Sequence, residues 1–254
     1  MAERIVFHID VNSAFLSWTA AHRTQVMGDR FDLRSVPSVI AGDKKSRHSI
    51  ILAKSAPAKK FGIQTGEPLG KALEKCPNLV VAEPDYELYV TASRSLIALL
   101  GTYSPAVEQF SIDEAWVDMT GTTGLFGPPV MAADRLRERI RRELGFTVNI
   151  GISCNKLLAK MAGDFEKPDK THTLFPEEIP AKLWPLPVGA LYSVGRATAS
   201  KLTASQIRTI GELAQTINDM SVKIGQAEKT QSEFISSVSH ELRTPLTAIS
   251  GWGE

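Results

Sequence analysis

Residues 106–112 and 115–119 are two β-rich runs separated by nothing but Asp113 and Glu114. A two-residue gap leaves room only for a tight antiparallel reversal, so these runs predict a hairpin. The flanking pattern then limits what the hairpin can join. Residues 4–10, dense in Ile, Val and Phe, read as a buried strand ending on an acid, and residues 11–22 follow with helical spacing of Phe15, Trp18 and Ala21. A long amphipathic helix over 86–103 precedes the hairpin. A helix over 130–144, a strand over 146–153 and a helix over 155–164 follow it. Strand, helix, hairpin, helix, strand is the order of a ferredoxin-like sheet, so the expected class is α+β.

Segment 35–82 does not belong to that order. It carries β-rich runs at 35–41, 49–54 and 79–82, and short helices at 56–61 and 69–75 ended by Gly62 and Pro77, which reads as an insertion with its own small fold. From 186 to 214 the pattern becomes short helices with Gly195 and Gly211 at turns. After Ala214, steps of three and four link Ile217, Met220, Ile224, Ala227, Gln231, Phe234 and Val238 into a heptad seam on a long helix.

The formal net charge is +1, so bulk charge does not announce a nucleic-acid partner, and any such case rests on placed residues. Cys76 and Cys154 lie too far apart for metal-ligand spacing and read as buried thiols in a reducing compartment. No apolar run reaches the ~18 residues of a membrane helix. The N-terminus runs straight into strand pattern without a signal peptide, so the expectation is a cytoplasmic chain with no membrane segment.

In a ferredoxin-like sheet the first strand lies beside the hairpin, which allows Asp10, Asp113 and Glu114 to converge at one end. Three hard oxygen donors suit Mg²⁺. Two such ions about 3.5–4 Å apart activate a hydroxyl and stabilise a leaving pyrophosphate. The same spacing also fits a polar turn with Asp10 as a helix N-cap. Phe15 likewise fits the core face of an amphipathic helix, and the basic run Arg135 to Arg142 fits a solvated helix face.

Longer motifs separate these alternatives. They are His8-Ile9-Asp10-Val11-Asn12-Ser13-Ala14-Phe15, Ala58-Lys59-Lys60-Phe61-Gly62-Ile63, Tyr103-Ser104, Phe110-Ser111-Ile112-Asp113-Glu114-Ala115 and Gly151-Ile152-Ser153-Cys154-Asn155-Lys156, extended by Lys160 and Lys167-Pro168-Asp169. Together, from about Arg4 to Ala214, they resemble the Y-family DNA polymerases, the translesion enzymes of the DNA polymerase IV type. The resemblance implies transfer of dNTPs onto a primer on template DNA, with a palm over 1–34 and 83–176, fingers over 35–82 and a partial helix-hairpin-helix thumb over 177–214. It implies two Mg²⁺ ions held by Asp10, Asp113 and Glu114 with the Val11 carbonyl. It places Phe15 as a steric gate against a ribose 2′-hydroxyl, and Lys167 on the triphosphate. Lys59 falls where many relatives carry an arginine, and Ala56 and Pro57 depart from a usual Tyr and Glu. The stretch Tyr192 to Arg196 resembles the thumb hairpin, with Gly195 opening a helix start to a DNA phosphate. Gln206 stands where glycine is common, which predicts a strained turn.

From about Ile217 the resemblance changes. Ser236-Ser237-Val238-Ser239-His240-Glu241-Leu242-Arg243-Thr244-Pro245-Leu246 resembles the phosphoacceptor box of a sensor histidine kinase, preceded by the end of a HAMP linker, so that 215–254 reads as a kinase fragment. His240 would be the phosphoacceptor and Glu241 the acid assisting its imidazole. Neither a little-finger domain nor an ATP-binding domain is recognised in this sequence. It therefore reads as a chimera joined at Ile210-Gly211-Glu212-Leu213-Ala214, a word that suits both parents. The expected architecture is a ferredoxin-like palm with a fingers insertion and partial thumb, followed by a long C-terminal helix. Two other readings stand beside a polymerase: a non-catalytic remnant whose tail self-associates through 215–254, and a phosphoacceptor protein.

Overall fold

The computed structural model describes residues 4–42 and 49–250, with side chains through residue 233. The chain divides into two compact units, Met1–Glu178 and Ile179–Glu254.

In chain order the first unit begins with β1 (Val6–Val11) and α1 (Ala14–Gln25). β2 (Ser38–Ala41), β3 (Ile51–Lys54), α2 (Ala56–Lys60), α3 (Leu69–Lys75) and β4 (Val80–Ala82) follow. Next come α4 (Tyr86–Gly101), β5 (Val107–Gln109), β6 (Glu114–Asp118) and the short α5 (Thr123–Phe126). The unit finishes with α6 (Pro129–Leu144), β7 (Val148–Ser153), α7 (Lys156–Gly163) and β8 (Thr171–Thr173).

The main sheet has the order β5-β6-β1-β7-β8. Its first four strands are antiparallel neighbours, the ferredoxin-like arrangement, and β8 adds a parallel edge beside β7. The two-residue period divides β1 between two faces. Phe7, Ile9 and Val11 enter the main core with Leu96, Leu100, Leu136 and Ile140 of α4 and α6. On the other face Val6 packs with Trp116 and with Ala159 of α7. The helices start and stop where local chemistry dictates. Asp85 caps α4 by accepting from Leu88 N–H at 3.0 Å, and Asn155 caps α7 by accepting from Leu158 N–H at 2.9 Å. Gly145, at φ 77°, closes α6 in the left-handed conformation.

Segment 38–82 forms a separate three-stranded sheet, β3-β2-β4, whose own apolar cluster includes Val39, Ile51, Ala58, Leu69 and Ala72. Ser55 caps α2 through Ala58 N–H at 3.1 Å, and Pro57 sits in the first turn, where its missing N–H costs nothing.

Three sequence expectations need correction. The first hairpin strand is shorter than 106–112: Phe110 and Ser111 N–H both donate to the Glu114 carbonyl, at 3.0 and 3.2 Å, closing a loop in place of extended pairing. Glu114 consequently opens β6, and Asp113 alone of the pair stays in the turn. Helix α1 starts at Ala14, not residue 11, because Ser13 adopts φ 48° and breaks the helical run. Cys76 is buried as expected, but Cys154 is only partly so, and both thiols are free.

The second unit contains α8 (Ile179–Lys182), α9 (Arg196–Ala204) and α10 (Ile210–Ser250). Gln206 has φ 65°, a left-handed turn in which an ordinary side chain is strained. Gly211 lies against Trp184, whose Cβ would stand 2.9 Å from an added Cβ, so the absence of a side chain lets α10 begin there. The seam residues Ile217, Met220 and Ile224 are 56%, 57% and 57% exposed. Phe234, Val238, His240 and Glu241 lie outside the described side chains. Among the described residues no helix is long and apolar enough to cross a membrane.

Candidate active site

Asp10 and Glu114 are register partners on the adjacent antiparallel strands β1 and β6. Cross-strand partners project to the same face of a sheet, here the face covered by α7. Asp113 precedes Glu114 in the loop, and its carbonyl accepts from Val11 N–H at 3.1 Å, which locks the loop to the end of β1. Its carboxylate accepts from Ser111 Oγ at 2.7 Å.

Each of the paired acids has its own cation. Glu114 Oε2 accepts from His8 Nε2 at 2.9 Å and is bonded to Lys160 Nζ. Asp10 Oδ2 is bonded to Lys167 Nζ, which also meets Asp164 at 2.8 Å. Lys160 gets there because α7 lies backbone to backbone on β7. A Cβ on Gly151 would stand 1.9 Å from the Ala159 carbonyl and 2.4 Å from Gly163 N.

These environments push the two carboxyls in opposite directions. The His8 hydrogen bond, with Lys160 behind it, holds Glu114 down to about 2 against the opposing effect of burial. Burial raises Asp10 above the ordinary carboxylate range, and the Glu114 charge adds to this while Lys167 only partly offsets it. Burial would lower Lys167, but the carboxylates of Asp10 and Asp164 outweigh it and raise the amine.

Asp10 opens on a cleft of about 440 Å³ that also takes in Lys54, Lys59 and Lys167. Burial and the neighbouring Lys59 charge lower Lys54. Three lysines around one acid make a receptor for a polyanion. An adjoining cavity of about 220 Å³ is walled by Val11, Phe15, Leu52, Thr65 and Asp113. Phe15 thus has two positions at once. Its ring stacks on Tyr89 at 4.5 Å and packs beside Trp18 in the core, and it also lines the cavity.

Other contacts fix the loop that carries Lys167. Asn12 accepts from Asp169 N–H at 2.9 Å and donates to Asn149 Oδ1 at 3.0 Å. Arg137 donates to Asp169 Oδ1 at 2.7 Å and to Thr171 Oγ1 at 3.0 Å. Arg137 is therefore not part of a merely solvated face, a correction to the reading of residues 135–142. Helix α6 turns Arg137 toward the β8 edge, and Arg141 of the same helix also reaches Asp169 at 3.6 Å. Sequence reasoning gave no role to His8, Lys160, Asn12, Asn149 or Arg137. For His8 a signal existed: it lies two residues before Asp10 and so shares its face.

Among the described residues, no group of three or more His, Cys, Asp or Glu side chains is placed to hold a metal ion. Asp10 and Glu114 come together, while Asp113 turns toward Ser111. The oxygen donors nonetheless fit a hard divalent cation. A buried Asp10 facing Glu114 is short of positive charge, and two amines supply it here. Gly195 lies in the second unit as the N-cap of α9, with an ordinary φ of −75° and nothing within 4 Å of an added Cβ. The helix start is open to a bulky anion, although the backbone itself does not demand glycine. His240 falls outside the described side chains.

Comparison with known proteins places this geometry. Residues 9–164 match the family model described as impB/mucB/samB. A DNA polymerase IV of Clostridium acetobutylicum is 53% identical over 213 residues, covering 84% of this chain and 53% of that protein. DNA polymerase IV 1 of Bacillus subtilis is 39% identical over 211 residues, covering 83% and 49%. A crystal structure of DinB from Sulfolobus solfataricus superposes with a TM-score of 0.71 at 25% identity, covering 88% of this chain and 64% of that one. The chain spans about half the length of the curated relatives it matches. Residues 230–254 match a second model, the His Kinase A (phospho-acceptor) domain.

Proposed function

The chain belongs to the impB/mucB/samB family, and on that premise we propose that it carries the nucleotidyl-transfer core of a translesion DNA polymerase acting on primer-template DNA and dNTPs in the cytoplasm. In this reading the primer 3′-hydroxyl oxygen attacks the α-phosphorus of the dNTP. A new P–O bond forms, the bond to the β-phosphate oxygen breaks, and pyrophosphate leaves as the hydroxyl proton passes to solvent. Residues 1–34 and 83–176 act as palm, 35–82 as fingers and 177–214 as a partial thumb.

The observation that carries the proposal is the pairing of Asp10 with Glu114 beside a lysine-lined cleft. Asp10, Asp113, Glu114 and the Val11 carbonyl would hold two Mg²⁺ ions, which when bound acidify the primer hydroxyl and offset charge on the leaving group. Lys59 and Lys167 neutralise the triphosphate as point charges, without the fork an arginine would offer. Phe15 stands under the sugar and excludes a 2′-hydroxyl. The open start of α9 at Gly195 receives a DNA phosphate.

Primer extension by the purified chain with Mg²⁺ tests this directly. Incorporation that vanishes in Asp113→Ala is expected. No incorporation at high concentrations of chain and DNA would refute it.

A second reading is favoured by the exposed seam of α10. Ile217, Met220 and Ile224 support self-association through 215–254, and the phosphoacceptor match supports descent of His240 from a phosphorylated histidine. Sedimentation before and after truncation at Ala214 tests the first, with unchanged mass counting against it. Labelling of the chain but not of His240→Gln by an active histidine kinase tests the second.

A further inference from the structure

His8 is 1% exposed and lies directly under the paired acids, yet neither sequence nor family match assigns it a task. It stands opposite Trp116 in the β1–β6 register, one cross-strand step from Glu114, and its ring leans on the Trp116 indole at a centroid distance of 5.4 Å. Nε2 meets Glu114 Oε2 at 2.9 Å. An ionised carboxylate can only accept, so Nε2 is the donor. Nδ1 has no partner among the described residues and lies toward Gly163, where an added Cβ would come within 3.4 Å of it. The tautomer with hydrogen on Nε2 leaves a bare lone pair at Nδ1, which is cheaper to bury than an orphan N–H.

We propose that His8 is a positioning residue. Its buried ring, wedged between Trp116 and α7, donates one hydrogen bond that fixes the Glu114 carboxylate in the orientation that receives a divalent cation. This rests on the reading of Glu114 as a metal carboxylate.

The geometry separates His8 from the other partner of Glu114. Lys160 is itself buried, but it ends a flexible four-carbon stem whose ammonium is a point charge, so an arriving metal ion can replace that charge at Glu114. The His8 ring has two torsions, both fixed by packing, and stays. Hydrogen-bond partners of metal ligands typically contribute about 10–100-fold to affinity or activity. One oxygen, Oε2, takes both His8 and Lys160, so removal of the lysine leaves the carboxylate still oriented.

The test uses the full chain, His8→Phe and His8→Gln, with folding checked by thermal melting. Mn²⁺ binding without DNA is read by electron paramagnetic resonance. Single-nucleotide incorporation is read as kcat and KM separately, and ring ¹⁵N shifts report the tautomer. His8→Phe should weaken Mn²⁺ binding about 10-fold and lower kcat by a similar factor, with KM for dNTP held within about twofold. His8→Gln, which keeps an N–H donor, should recover most of both. Wild-type Mn²⁺ affinity in His8→Phe, or a folded His8→Gln as impaired as His8→Phe, would overturn the proposal. Should His8→Phe fail to fold, an unprotonated Nε2 in the wild-type ¹⁵N spectrum overturns it instead. If the wild type incorporates nothing, the polymerase reading falls while the Mn²⁺ comparison still decides the role of His8.

Discussion

Asp10 and Glu114 face one another across β1 and β6, yet their proton affinities move apart, Asp10 upward and Glu114 down to about 2. The difference lies in their partners. Glu114 receives two donors, His8 and Lys160, on one oxygen. Asp10, more deeply buried in its surroundings, has Lys167, a cation shared with Asp164. Two acids on one strand pair are thereby prepared differently, one firmly ionised and oriented, the other held by a cation that has somewhere else to go.

Acid should reveal the Glu114 contribution in metal-free buffer. Its folded value of about 2 lies below the ~4.3 of an unfolded glutamate. The stabilisation is fully present above the unfolded value and is lost as pH falls through the folded one. Urea unfolding at about pH 5, 3.5 and 2.5 should show the wild type losing more stability than Glu114→Gln across this window. Parallel losses in the two proteins would contradict the assignment.

Asp10 carries the opposite sign. A carboxyl raised mainly by burial favours the fold while protonated, and that contribution is lost as pH rises through its folded value. Asp10→Asn should therefore melt higher than wild type at neutral pH, because the burial cost of the charge is removed while Lys167 keeps Asp164. Such a gain at the expense of function is the usual signature of an active-site charge. A lower melting temperature would show that the Lys167 contact outweighs the burial cost.

Gly151→Ala tests the close approach of α7 to β7. An added Cβ would meet backbone atoms at 1.9 and 2.4 Å, so the helix must retreat and take Lys160 with it. A loss of at least about 1–3 kcal/mol in denaturant unfolding is expected. Gly163→Ala, whose nearest neighbour is 3.4 Å away, should lose less. Equal effects from both changes would refute the packing argument.

Phe15 has a double role that one substitution can separate. Phe15→Ala should lower discrimination of dNTP over rNTP by roughly 10–100-fold. Because the ring also stacks on Tyr89, the same change should destabilise the fold by about 2 kcal/mol, less than a fully buried phenylalanine would lose. Lost stability with unchanged sugar discrimination would leave Phe15 a core residue alone.

Local pattern made much of the first unit legible. The hydrophobic run ending at Asp10, the helical spacing of α4 and α6 and a chain reversal close to Asp113 depend on neighbours within a few positions, and their order is enough to name the ferredoxin-like sheet. The edges were misread where backbone hydrogen bonds close a loop: Phe110 and Ser111 N–H both donate to the Glu114 carbonyl, which leaves Asp113 in the turn and Glu114 in the strand. Composition hid Arg137 in a basic run, since nothing local tells which arginine of a helix will meet a distant loop.

By itself the sequence offered Asp10, Asp113, Glu114, Phe15, Lys59 and Lys167 as candidates, because they stand in ordered motifs that resemble a known family. Tertiary structure alone decided which of them meet. Lys160 reaches Glu114 across 46 residues and Lys167 reaches Asp10 across 157. Those pairings follow from strand register and from the glycine-permitted approach of α7. Both are properties of surfaces brought together by burial, and no short window of sequence encodes them. The three carboxylates written so closely in the motifs are therefore, in the folded chain, a pair with separate lysines and a third acid turned toward Ser111.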